Sequence, residues 1–270
     1  TFDSLKSAST LLFTYTVVAG DTDADGIEVV ANSLSGTITA ATLTPVLTHS
    51  AYTLSTAKVD TTAPTIEVTG QTATVKASDT PTVTFTLSEA STDFTLDDVV
   101  VSGGTLDNFS GSGTSYTARF TPNTNSTTNG VVSVASDKFT DAGGNINADG
   151  SDTNNTKTFT VDTIRPTVAV TTNKTTLNAG SAATATVTFT LSETAADFTK
   201  NSVAVSGGTL GELTPSNSGK VYTGTFTPNA DSTTDSVVKV LNSQFTDAAG
   251  NANLDGSDTD NTVTMSVNTT

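Results

Sequence analysis

The chain of 270 residues copies itself. Thr84-Phe85-Thr86-Leu87-Ser88-Glu89 recurs as Thr188-Phe189-Thr190-Leu191-Ser192-Glu193, and Ser102-Gly103-Gly104-Thr105-Leu106 as Ser206-Gly207-Gly208-Thr209-Leu210, both displaced by 104 positions. Past a two-residue insertion the displacement becomes 106. Phe120-Thr121-Pro122-Asn123 then matches Phe226-Thr227-Pro228-Asn229, Phe139-Thr140-Asp141-Ala142 matches Phe245-Thr246-Asp247-Ala248, and Asp149-Gly150-Ser151-Asp152 matches Asp255-Gly256-Ser257-Asp258. A unit of about 100 residues is longer than a solenoid repeat and large enough to bury its own core. Residues 63–164 and 165–270 are therefore expected to form two complete domains. Residues 1–62 read as the C-terminal half of a third, because Val59-Asp60-Thr61 parallels Val161-Asp162-Thr163 and Gly26-Ile27-Glu28-Val29 parallels Gly130-Val131-Val132-Ser133. The front half of that segment has no counterpart. Either a domain is cut there or another segment supplies its missing strands.

Inside each unit the apolar residues recur at every second position. Val83, Phe85 and Leu87 alternate with Thr82, Thr84 and Thr86, and Tyr116, Ala118 and Phe120 alternate with polar residues up to Pro122. Period two is the spacing of a half-buried strand. Thr supplies 61 of the 270 residues, and its β-branched side chain suits a pleated surface better than a helix. Strands are expected at roughly 65–69, 82–87, 98–102, 105–110, 115–121, 130–136 and 156–162, separated by Gly, Asn, Asp and Pro turns. Seven short strands are the count of an immunoglobulin-like sandwich. The fold class is thus all-β, with tandem immunoglobulin-like domains in a linear array. A disordered Thr-rich stalk would show neither this alternation nor the recurring Phe and Tyr.

Composition removes several chemistries. With no Cys, thiol catalysis, disulfides and thiolate metal sites are absent, and the single histidine, His49, excludes any site built on two imidazoles. The balance of 11 basic against 27 acidic residues, net −16, disfavours nucleic acid and favours cations. No stretch is long and apolar enough for a membrane span. Thr1 opens neither a signal nor a transit peptide, so the chain reads as a piece of something longer.

Topology then brings distant acids together. Successive strands of a sandwich alternate direction, so the loops after the second, fourth and sixth strands meet the incoming linker at one pole. In the middle unit those segments carry Glu89, Asp141 and Asp60; in the last unit they carry Glu193, Asp247 and Asp162. Two like charges about 5 Å apart at an effective dielectric near 20 repel by about 3 kcal/mol, which a divalent cation reverses. Ca2+ accepts mixed carboxylates, Asn amides and loop carbonyls in flexible geometry, whereas Mg2+ demands a stricter octahedron and Zn2+ prefers His and Cys. The expected ligands are therefore Asp60, Glu89, Asp141, Asp162, Glu193 and Asp247. Asn145, Asp149, Asn251 and Asp255 in the same loops either add to the ligand set or serve as turn residues and solvated charge.

A further candidate is Asp21-Thr22-Asp23-Ala24-Asp25-Gly26, which matches the first half of an EF-hand loop. Position twelve is Asn32 instead of Glu, and no helix flanks it. Asp21, Asp23 and Asp25 thus form either a calcium loop or a plain Asp-Gly turn.

The order V-D-T-x-x-P, T-F-T-L-S-E, D-F-T, S-G-G-T-L, Y-T-x-x-F-T-P-N and F-T-D-A-x-G-N resembles the tandem bacterial immunoglobulin-like repeats of giant secreted or surface adhesins, across nearly all of 60–269. That resemblance implies an extracellular stalk on the bacterial cell surface. Calcium would sit at joints between neighbouring repeats, projecting a distal tip for attachment or biofilm. Carried over residue by residue, its linker Asp falls on Asp60 and Asp162, its strand-end Glu on Glu89 and Glu193, and its loop Asp on Asp141 and Asp247. Asn32-Ser33-Leu34-Ser35-Gly36 and Val267-Asn268-Thr269 depart from the pattern and weaken a joint at either end.

Two other functions compete with the stalk. An unpaired sheet edge in segment 1–62 would invite identical chains to donate a strand and build a filament. Direct ligand binding finds weak support, since there is no Trp and Tyr116 and Tyr222 lie on the inward-facing pattern. Catalysis is not expected, because an acidic set repeated at every joint suits structure better than chemistry.

Overall fold

The computed structural model describes residues 2–7, 10–14, 16–24, 27–30, 51–54, 58–180, 183–195, 197–256 and 258–270. Among these the chain is all-β, with four short 3-10 turns and no α-helix. Two hydrophobic cores form, one from residues of 66–161 and one from residues of 168–267. Each fills the space between two packed sheets.

In the first unit, one sheet runs Gly104–Pro122, Thr82–Ser91, Ile66–Gly70, and the other runs Thr156–Phe159, Gly130–Val134, Val99–Ser102. In the second, Val168–Thr172, Ala185–Leu191, Val221–Pro228 and Gly208–Leu210 form one sheet, with Thr214–Ser216 also on Val221–Pro228. Thr176–Asn178, Thr262–Asn268, Ser236–Val240 and Val203–Ser206 form the other. Pairing is antiparallel except where Thr176–Asn178 runs parallel to Thr262–Asn268; the first unit marks the same place with a parallel bridge between Val75 and Val161.

Period two produces this packing directly. Val83, Phe85 and Leu87 are buried while Thr82 and Thr86 are exposed, and Val187, Phe189 and Leu191 repeat the pattern. The rings of Phe120 and Phe159 stack at 4.8 Å; Met265 takes the place of Phe159 in the second core, a flexible side chain filling a gap shaped for a ring. Tyr116 and Tyr222 are buried, and each donates its phenolic proton to a backbone carbonyl at or just past the end of the neighbouring strand, Ser91 O and Ala195 O, both at 2.8 Å.

Two expected strands at 105–110 and 115–121 appear instead as one extended run, Gly104–Pro122. The run doubles back around Gly111 and Gly113, whose φ values of 143° and 65° suit glycine. A Cβ on Gly111 would stand 2.3 Å from Ser115 O, so backbone approach is too close for any side chain there. Within 1–62, Thr22–Asp23 pairs with Val59–Asp60 and Ile27–Val29 with Tyr52–Leu54. Asp25, Asn32 and the rest of 31–50 with His49 lie outside the described residues, so neither the expected half domain nor the expected departure at 32–36 is described.

Because the two cores share no residue, damage to one leaves the other intact. Phe189→Ala opens a cavity in the second core and is expected to cost about 3–5 kcal/mol there. Urea unfolding should then separate into two transitions, with the upper one unmoved from wild type; a single transition shifted as a whole would contradict separate cores.

Candidate metal centre

The loops that follow Gly130–Val134 and Ser236–Val240 are built by hydrogen bonds from small polar residues. In the first unit, Thr140 and Ile146 form an antiparallel bridge, and Asn147, fully buried, ties the loop shut. Its Oδ1 accepts from Lys138 N at 2.7 Å and Phe139 N at 3.2 Å, and its Nδ2 donates to Ala135 O at 2.9 Å. Asn253 repeats these bonds with Gln244, Phe245 and Leu241. One amide thus satisfies backbone groups that burial would otherwise strand.

A second set of bonds fixes the loop against the body of the domain. Asp93, on the turn after Thr82–Ser91, accepts from Thr140 N at 2.9 Å and Thr140 Oγ1 at 2.7 Å; Asp197 does the same for Thr246. The residue after each Thr is the loop carboxylate, Asp141 or Asp247. Burial alone would push the Asp93 carboxyl up, but the bonds from Ser91 and Thr140 outweigh it and hold it below its ordinary range.

On this scaffold the expected acids meet. One carboxylate oxygen from each of Asp60, Glu89 and Asp141 lies within 4.8 Å of the others, and Asp162, Glu193 and Asp247 form an equivalent group. Each group takes one acid from the linker, one from within Thr82–Ser91 or just past Ala185–Leu191, and one from the loop. Asp141 and Asp247 are buried, and the other members are more exposed. The Asn four residues on completes the arrangement: Asn145 Nδ2 donates to Asp141 Oδ2 at 2.9 Å and to Asp60 O at 3.2 Å. Asn251 Nδ2 donates to Asp247 Oδ2 and to Asp162 O, both at 2.9 Å. A single amide therefore joins linker and loop at each site.

The charges in each group are not equally stabilised. Burial pushes the Asp141 carboxyl up, but the side chain and backbone of Asn145 and the N–H groups of Gly143 and Gly144 outweigh it and hold it below its usual range. No such donor reaches Glu89 among the described residues. Burial, then the neighbouring charges of Asp60 and Asp141, pushes its carboxyl up. Glu193 is raised by burial and by Asp162 and Asp247, with Lys220 acting in the opposite direction. A raised Glu beside two carboxylates is the signature of an uncompensated anionic site.

The donor set suits a hard cation. Ca2+ takes oxygen ligands at about 2.3–2.6 Å, so two oxygens on one ion stand no farther apart than about twice that distance. The 4.8 Å span of each group satisfies this limit. Neither group offers His or Cys, the ligands that Zn2+ favours.

The remaining expected ligands are placed differently. Asp149 and Asp255 belong to no group of three among the described residues. They are buried, and they accept the first N–H of the entry strand, Ile66 N on Asp149 Oδ2 at 2.6 Å and Val168 N on Asp255 Oδ2. Their visible work is to hold that strand. Asp21 caps a turn, accepting Val18 N at 3.0 Å, while its carbonyl accepts Thr61 Oγ1 at 2.8 Å. Asp23 stands opposite Val59 in a short ladder. Sequence reasoning missed Asp93, Asp197, Asn147 and Asn253 as positioning residues, although D-F-T and F-T-D-A recur at fixed displacements and their pairing was available as a signal.

The sequence matches the family model described as a bacterial Ig-like domain twice, over 60–158 and 162–266. Among solved structures it is similar to InvD of Yersinia pseudotuberculosis, at 21% identity over 75% of this chain and 57% of that one, with a TM-score of 0.29. It is also similar to the adhesin InvE of Yersinia pseudotuberculosis, at 16% over 75% and 58%, TM-score 0.27. A third is invasin, described as a bacterial integrin-binding protein, at 15% over 76% and 39%, TM-score 0.30. The chain thus spans little more than half, or less, of these proteins' lengths. No curated protein matches it.

The raised Glu89 carboxyl has a definite pH consequence in metal-free buffer. A carboxyl whose folded value lies above its ordinary value near 4.5 contributes stability below that value and loses it as pH rises through the folded value. Wild type minus Glu89→Gln, measured by urea unfolding from pH 4 to 7 in chelator, should therefore decline with pH. Parallel curves would show that Glu89 feels no neighbouring charge.

Proposed function

Since the chain belongs to the bacterial Ig-like domain family, matched over 60–158 and 162–266, we propose that it forms stalk repeats of a bacterial surface adhesin whose joints are stiffened by Ca2+. The observation that carries this reading is the pair of carboxylate groups, each with one acid on a linker and two on the unit that follows. Without a cation, three acids in one small volume repel, which drives the linker away from the loop and strand end wherever no other contact holds it. With a cation, Asp60, Glu89 and Asp141 bind as one set, as do Asp162, Glu193 and Asp247, and the linker is fixed to the next domain. Asn145 and Asn251 pre-set the distance by bonding both linker and loop. Preorganisation of this kind reduces the ordering cost of binding.

A stalk also accounts for the rest of the chain. Polar β-sandwiches repeated in tandem give length without an active site. A net charge of −16 keeps such a rod soluble and discourages lateral sticking to its copies. The acidic sets recur at equivalent places in both units, as joints require and as one catalytic centre does not. The extracellular surface, where Ca2+ is plentiful, is the setting in which the joints would stay filled.

Small-angle scattering tests the mechanical reading. Addition of calcium should narrow the interdomain distribution and lengthen the maximum dimension, and Asp141→Asn with Asp247→Asn should abolish that response; an unchanged profile in wild type would overturn it. Calorimetric titration tests the positioning residues. Asp197→Ala frees Thr246 and should weaken calcium binding at the second joint by about 10–100-fold, the range for loss of a residue that orients a ligand, while binding at the first joint stays as in wild type.

A further inference from the structure

The two acidic sites are near copies in sequence, yet among the described residues one is covered and the other is open. At the first, Gly144 sits at φ 85° and a Cβ built on it meets no atom of the described residues within 4 Å; at the second, Gly250 sits at φ 86° and a Cβ would meet Lys76 Nζ at 3.5 Å and Lys76 Cδ at 3.7 Å. Lys76 belongs to the preceding unit. It opens a turn in which Asp79 N donates to Lys76 O at 3.0 Å, and Lys76 N to Asp79 Oδ2 at 3.2 Å.

This turn is tied to both sides of the second joint. Val75 is fully buried in the first core. Its N–H donates to Thr160 O at 2.9 Å, and its carbonyl accepts Asp162 N at 3.0 Å, which holds the linker acid from behind. Two residues on, Ala77 N donates to Asn251 Oδ1 at 2.7 Å. Asn251 in turn bonds Asp162 O and Asp247. The bonds close a ring through Val75, Asp162, Asn251 and Ala77, joining one unit, the linker and the next unit. Arg165 adds a separate tie, donating from Nη1 to Ala252 O at 3.0 Å.

The first joint has no such ring among the described residues. Asn145 Nδ2 makes the equivalent bonds to Asp60 O and Asp141, but no described donor reaches its Oδ1. Ala63 stands where Arg165 stands in the second linker. The space beside this joint is a cavity of about 450 Å³ lined by Val17, Lys58, Val59, Asp60, Ala142 and Gly143.

We infer that residues 75–79 form a protein strut that locks the second joint without any cation, so that the two joints differ in kind: the first is a hinge and the second a fixed elbow. The first-joint half of this contrast rests on the calcium reading, and the strut itself does not. Mechanically, the units flanking the second joint would act as one rigid arm turning about the first.

The chain contains no Cys, so pairs of spin labels can be placed cleanly. Labels at Thr105→Cys and Thr209→Cys span the second joint, and labels at Glu28→Cys and Thr105→Cys span the first. Pulsed electron–electron distances in chelator should stay as narrow across the second joint as in calcium. Ala77→Pro, which removes the donating N–H, should at least double the width there in chelator. So should the milder pair Lys76→Ala with Arg165→Ala, which keeps the measurement decisive if the Pro variant fails to fold. The strut is refuted if wild type broadens across the second joint on chelation, or if folded variants of both kinds stay narrow. The first joint, read in parallel, judges the calcium reading separately: equal widths in calcium and chelator would remove that reading and leave the strut decided by the second joint alone.

Discussion

A carboxylate surrounded by donated N–H groups is stable in a protein, whereas one surrounded by other carboxylates is not, and these poles contain both. Asp141 rests on the amides of its own loop and stays easily ionised; Glu89, a few ångströms away, is partly desolvated and faces the charges of Asp60 and Asp141. The tension between them is built in, because the hydrogen bonds that shape the loop hold Asp141 where the linker must arrive. Relief requires a cation, a proton on the Glu, or separation of the two segments. On the proposed reading each outcome would alter how the linker meets the next domain, which would link the electrostatics of a few side chains to the mechanics of a stalk.

The supports beneath these acids are short polar side chains whose hydrogen-bonding capacity is largely used. Asn147 and Asn253 serve the backbone on both sides of their loops, and Asp93 and Asp197 grip the Thr next to Asp141 and Asp247. Asp149 and Asp255 anchor the first strand of their own units at the same pole. Loop, strand start and linker are therefore positioned by one continuous polar network lying over an apolar core.

The alternation of Val, Phe and Leu with Thr made the sandwich legible in the sequence, since burial in a strand follows period two and depends on no partner far away. Displacement by 104 and then 106 made the equivalence of the two sites legible too. Asp60, Glu89 and Asp141 were reachable because strand direction alternates, so topology alone assigns loops to a pole. Asp149 and Asp255 were less readable. An acid in a Gly-rich loop looks like a ligand or a solvated charge, and only coordinates reveal that its oxygen takes a strand's first N–H. The hairpin inside Gly104–Pro122 was divided at the right place but read as two strands, because the bend is carried by glycines at positive φ without a break in extension.

By itself the sequence determined an all-β chain of repeated units, the residues of each core, and two acidic sets at corresponding positions, because all of these follow from local spacing and from symmetry between copies. The difference between the joints was decided only by tertiary structure. Ala77 and Asn251 are separated by 174 positions, and the segments that touch there are not copies of each other. Whether a turn of one domain reaches the loop of the next depends on how two rigid bodies meet, and no periodicity within either body encodes that meeting.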